Sequence, residues 1–106
     1  MYNQFSNLEI QLILDQSAAY NCICLAQVAR SITEQRALYQ YQMACLEKDE
    51  TDRNVHEQIA ATVTETHRLL EKCLEKILNL EGWDLETMTM PPALVKKYIQ
   101  NYNQSE

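Results

Sequence analysis

Apolar residues recur every three or four positions between Asp52 and Glu81. Ile59, Val63, Leu70, Leu74, Ile77 and Leu78 share one face, while Arg53, Glu57, Glu65, Arg68, Glu71 and Lys72 lie largely elsewhere. That spacing predicts an amphipathic helix over 52–81. Gly82 is placed to close it as a left-handed cap, and Trp83 to fold back on its last turn. Upstream, the stretch from Asn7 to Lys48 holds neither Gly nor Pro, which predicts one long helix or two nearly continuous ones. The interruption offered by the pattern is Ser31-Ile32-Thr33-Glu34, where Ser31 and Glu34 have capping-box spacing around two β-branched residues.

Between the two helical regions, EKDETDRN gathers charged and turn-forming residues, and Thr51, Asp52 or Asn54 could cap the helix that follows. After Trp83, the linker WDLETMTM leads to Pro91-Pro92, which suit the first turn of a short final helix with Leu94, Val95, Tyr98, Ile99 and Tyr102 on one face. The middle of the first helical region is apolar on nearly every side: Leu12, Ile13, Leu14, Ala18, Ala19, Ile23, Leu25 and Val28. A helix of that kind needs more than one neighbour. At about 1.5 Å per residue, a helix of about 40 residues outreaches a partner of about 30, leaving an excess for the final helix or a second subunit to cover. The expected fold is therefore all-α: a long helical hairpin plus a short C-terminal helix, in a four-helix-bundle or ferritin-like arrangement that dimerisation could complete. A single domain over 1–106 with flexible ends at about 1–6 and 103–106 follows from the length and pattern.

Composition agrees with a folded helical chain, since 46% of residues are hydrophobic and 23% charged, with one Gly and two Pro. The net charge of −6, with Lys and Arg scattered, gives no basic stripe for DNA or RNA and no attraction to anionic membranes. The start, MYNQFSNLEI, lacks the positive and apolar regions of a signal peptide, and no apolar run approaches the roughly 18 residues of a spanning helix. The expected location is cytoplasmic.

Chemistry is suggested most strongly by AAYNCICLA, with Cys22 and Cys24 two apart. In a helix these lie about 200° around the axis and cannot face one metal ion. Neither Cys45 nor Cys73 has a partner at zinc-knuckle spacing. All four cysteines therefore read as small buried hydrophobes. The alternative is a metal-binding or thiol-redox protein that assembles Cys22, Cys24, Cys45 and Cys73 with His56 or His67. The two histidines stand eleven residues apart on one face, roughly 16 Å along the axis, too far for one ion. Three residues before them stand Arg53 and Thr64, so the Glu-x-x-His pattern of di-iron bundles is absent. Each histidine reads as hydrogen-bonded at a core edge. Asp15, Ser17 and Asn21 read as buried register-fixing groups. Tyr20, Tyr39 and Tyr41 suit an interface. There is no Gly-rich phosphate loop and no nucleophile elbow, so no catalytic residue and no cofactor is assigned.

The segment RNVHEQIAATVTETHRLLEKCLEKILNLEGWDL, Arg53 to Leu85, resembles the second helix and terminal Gly-Trp of the spore coat F family, small helical ferritin-like proteins of spore-forming bacteria. The shared features are a polar helix start, a histidine-bearing mid-helix followed by Leu-Leu, and Gly82-Trp83. The resemblance implies a helical bundle without a catalytic metal, acting by self-association or packing in a spore layer. The residues and the resemblance together lead to a non-enzymatic bundle working through protein contacts, foremost a homodimer. Regulation of another protein is a third class.

Overall fold

The computed structural model describes residues 1–48 and 52–95. Among them are three helices, α1 (Asn7–Ala19), α2 (Ile23–Lys48) and α3 (Arg53–Glu81), with a further helical turn over 92–95 and no strand beyond an isolated bridge between Asp84 and Thr89. The chain is all-α.

α1 begins at a capping box. The Ser6 hydroxyl accepts from the Glu9 backbone N–H at 3.1 Å, and the Glu9 carboxylate accepts from the Ser6 N–H at 2.9 Å. The long Gly- and Pro-free stretch is two helices, and the break falls at Tyr20-Asn21-Cys22 rather than at Ser31. Asn21 takes a left-handed conformation, φ 57°, which asparagine tolerates better than other residues with a Cβ. The Cys22 N–H then donates to the Ser17 carbonyl at 2.7 Å, closing the reversal. Ser31 sits inside α2, its hydroxyl donating to the Gln27 carbonyl at 2.9 Å, so it back-bonds within a helix instead of starting one.

α2 and α3 run antiparallel: Gln42 meets His56, Gln35 meets Thr66, and Arg36 meets His67. α1 lies antiparallel on the same half of α2, with Asn7 beside Arg36 and Ser17 beside Cys22. Helices of 26 and 29 residues extend about 39 and 44 Å, but the 13 residues of α1 reach only about 20 Å. The molecule is thus three helices thick at one end and a bare hairpin at the other. Its extents are 56 × 29 × 18 Å, and its radius of gyration of 17.0 Å exceeds the roughly 13 Å of a compact chain of this length.

α3 ends as its sequence predicts, with Gly82 left-handed at φ 80° and the Trp83 N–H donating to the Leu78 carbonyl at 3.0 Å. The linker is a folded turn: Asp84 and Thr89 exchange backbone hydrogen bonds, and the Asp84 carboxylate accepts from the Glu86 and Thr87 amides. Met88 and Met90 are buried, and both ends of the Gln16 side chain hold their backbone, Nε2 donating to the Met88 carbonyl and Oε1 accepting from Met90. Residues 83–95 therefore pack at the three-helix end, not along the bare hairpin. Leu94 and Val95 join this packing, while Tyr98, Ile99, Tyr102 and the end at 103–106 lie outside the described residues, as does Thr51. Asp52 precedes α3 without a side-chain capping bond.

The core is built on Ile13, Leu25, Ile32, Leu74 and Leu78. Each such side chain removed from water contributes about 1.5–3 kcal/mol. Within residues 1–6, expected as a flexible end, Phe5 is buried in the same core while Tyr2, Asn3 and Ser6 are exposed. No helix among the described residues is long and apolar enough to cross a membrane.

Candidate functional site

The structure gathers polar chemistry at one place, in the middle of the core. α3 turns Val63, His67, Glu71, Leu74 and Leu78 inward along rows three and four residues apart, and α2 does the same with Ala29, Ile32 and Arg36. Two of those α3 positions and one on α2 carry titratable or charged groups. Arg36, His67 and Glu71 retain 7%, 0% and 2% of their surface.

Arg36 is the hub. Its Nε donates to His67 Nε2 at 3.0 Å, Nη1 to Asn7 Oδ1 at 2.7 Å, and Nη2 both to the Phe5 carbonyl at 2.6 Å and to Glu71 Oε2 at 3.1 Å. The same Glu71 oxygen accepts from the Phe5 N–H at 3.0 Å. Both backbone groups of Phe5 are thus held by a buried ion pair. Beside it, the Gln4 amide donates to the Glu75 carboxylate.

These contacts fix the tautomer of His67. Because Nε2 accepts from Arg36 it carries no proton, so the neutral ring holds its hydrogen on Nδ1, which lies 3.4 Å from Glu71 Oε1 but makes no hydrogen bond. Burial pushes the His67 pKa below its ordinary value; Glu71 opposes that shift and Arg36 reinforces it. Clefts flank the cluster. One of about 380 Å³, lined by Tyr2, Gln4, Arg68, Glu71 and Lys72, opens beside the N-terminal segment, and one of about 260 Å³ opens beside Arg36, Asn7 and Gln40. Chemically the cluster is a clamp, since the Arg36 donors are turned to protein acceptors.

The sequence-predicted candidates are dispersed. Cys22 is buried at the α1–α2 turn, Cys45 is half-buried, and Cys24 and Cys73 are exposed, so the expectation of four core cysteines is corrected for the last two. No disulfide joins any two of the four. Among the described residues no three His, Cys, Asp or Glu side chains are placed to hold a metal ion. His56 is half-buried, its Nδ1 2.7 Å from Gln42 Oε1, whereas His67 lies inside the core rather than at its edge. Ser17 is buried and donates to the Ile13 carbonyl at 2.7 Å, but Asp15 and Asn21 are exposed.

Arg36 and Glu71 were not indicated by motif spacing. The acid stands four residues after His67, not three before it, and Glu71 belongs to the inner face instead of the charged one. The available signal was a charge in register with the apolar row, four residues after Ile32 on α2 and three before Leu74 on α3. Comparison with family models, curated proteins and solved structures finds no match.

Proposed function

We propose that this is a non-enzymatic helical protein that works by self-association through the outer face of α3. One observation carries the proposal. Val55, Leu69 and Leu80 are 55%, 57% and 87% exposed. With Thr62 and Cys73, also exposed, they lie within a sector of about 40° at the helical 100° per residue, on the far side from the core row. Scattered exposed apolar residues are ordinary, but a straight line of them along a helix is the pattern of a helix-to-helix seam.

A second copy suits this face. Glu65 and Lys76 border the stripe on the same flank, eleven residues apart, so two α3 helices laid antiparallel and centred between residues 70 and 71 set each acid near the other copy's base. The resemblance of Arg53–Leu85 to the spore coat F family supports the same reading in a specific form, packing within a spore layer. The cysteine-based alternative has less support, because the four thiols stand apart.

From Val55 to Leu80 the seam spans about 38 Å along one helix, and association through it is concentration-dependent. Sedimentation equilibrium of the full chain should show mass rising from 12.4 kDa toward twice that value with concentration. Leu69→Glu with Leu80→Glu should hold it at one chain while leaving the circular dichroism unchanged. A single-chain mass for the wild type across the concentration range would end the proposal.

A further inference from the structure

We propose that His67 is a proton-operated latch on the N-terminal segment: a proton on Nε2 displaces the Arg36 guanidinium and with it loosens the hold on Met1–Ser6. This concerns a different surface from the α3 seam and stands independently of it.

The argument is one of donors and acceptors. In the closed arrangement Nε2 must accept from Arg36 Nε at 3.0 Å. A protonated ring would present N–H to N–H, and cation to cation, at that same contact. The guanidinium cannot stay, and it cannot withdraw alone, because its other nitrogens hold the Phe5 carbonyl and Asn7, the first residue of α1. The protonated ring would draw Glu71, which lies 3.4 Å from Nδ1 without a hydrogen bond to it, and that acid also receives the Phe5 N–H. One proton therefore releases the Phe5 carbonyl directly and pulls on the acid that holds the Phe5 N–H.

The charged groups around the ring are few. α3 contributes Glu71, α2 contributes Arg36, and the N-terminal segment contributes its terminal ammonium, 3.5 Å from the Tyr39 hydroxyl. From α1 the nearby polar group is the neutral Asn7; its Glu9 is turned to Ser6. Of these, the ring alone ordinarily titrates near pH 6.5. Loosening the segment uncovers the seat of Phe5 in the core cluster and widens the cleft beside Glu71.

The test is NMR on the full chain. Imidazole nitrogen shifts at neutral pH should show the proton on Nδ1. The hydrogen-exchange protection of the Phe5 amide, which donates to Glu71, should fall by up to about tenfold per pH unit below about 6.5, the slope for one linked proton. Protection of the Leu74 amide should not follow it. In His67→Gln, whose carbonyl can accept from Arg36 but does not titrate, Phe5 protection should be flat over the same range. A proton on Nε2 at neutral pH, parallel loss at Phe5 and Leu74, or the same slope in His67→Gln would each overturn the proposal. If His67→Gln does not fold, the wild-type comparison of Phe5 with Leu74 decides alone.

Discussion

Replacing Arg36 with Met tests the cluster most directly, because it removes the cation while nearly preserving side-chain volume. Four acceptors lose their donor: Glu71 Oε2, His67 Nε2, Asn7 Oδ1 and the Phe5 carbonyl. Breaking a buried ion pair from one side costs about 3–5 kcal/mol, and a stranded buried carbonyl about 1–3 kcal/mol when it finds no other partner. Part of this is recovered, because Glu71 still accepts from Phe5 and can attract a proton onto His67. The expected net loss is about 3–5 kcal/mol at pH 7.5, a large share of the total for a domain of this size. Urea unfolding followed by Trp83 fluorescence and far-ultraviolet circular dichroism measures it. A loss below about 1 kcal/mol would show that the clamp is not under load and would refute the reasoning.

The pH dependence supplies a second, independent sign. In the wild type, burial and Arg36 hold the His67 pKa below its unfolded value. The unfolded state then binds more protons over that interval, so the contribution of a neutral His67 is complete above about pH 6.5 and is lost as pH falls toward the folded pKa. Arg36→Met deletes one of the three lowering influences, the others being burial and the terminal ammonium, and leaves Glu71, which favours the charged ring. The variant should therefore lose less stability than the wild type between pH 7 and 5. An equal or steeper loss would contradict the assignment of Arg36 as the group that opposes protonation.

Two further substitutions check the frame around the cluster. Leu74→Ala, at a fully buried position, should cost about 2–5 kcal/mol in chemical denaturation, and the same change at half-buried Leu70 should cost clearly less; equal costs would mean α3 is rotated from the face described. Gly82→Ala should cost about 1–2 kcal/mol from backbone strain at φ 80°, since the added Cβ would meet Pro91 at an ordinary 4.0 Å; a neutral result would remove the left-handed cap from the account of how α3 ends.

The parts of the fold that follow from strict periodicity were legible in advance. α3, its Gly82 cap and the return of Trp83 rest on spacing and on a residue type that few others can replace at positive φ. The break between α1 and α2 was not legible in the same way. Ser31 and Glu34 have the spacing of a cap, yet spacing says nothing about whether a serine will bond forward to start a helix or backward to continue one. The true break depends on Asn21 accepting a left-handed turn, which helix patterning does not record because the flanking residues are apolar on both sides. The cluster was hidden for a related reason. A buried charge looks like a surface charge until its partner is found, and Arg36 and Glu71 are 35 residues apart on different helices.

The same chemistry explains why an ion pair, and not a further apolar contact, fastens the N-terminal segment. Phe5 has to enter the core with its backbone N–H and carbonyl unpaired by any helix, and leaving either bare inside the protein would cost about 1–3 kcal/mol. An apolar lining could bury the ring but could not satisfy those two groups. Glu71 takes the N–H and Arg36 the carbonyl, while their own charges cancel across 3.1 Å. Because both bonds fall on one residue, shifting the segment by a single position would break both and point the next side chain outward. Arg36 also holds Asn7, so the register set at Phe5 continues into the first residue of α1. A contact chosen for its donors and acceptors thereby fixes where a helix begins, and its dependence on an unprotonated His67 is what makes that start responsive to pH.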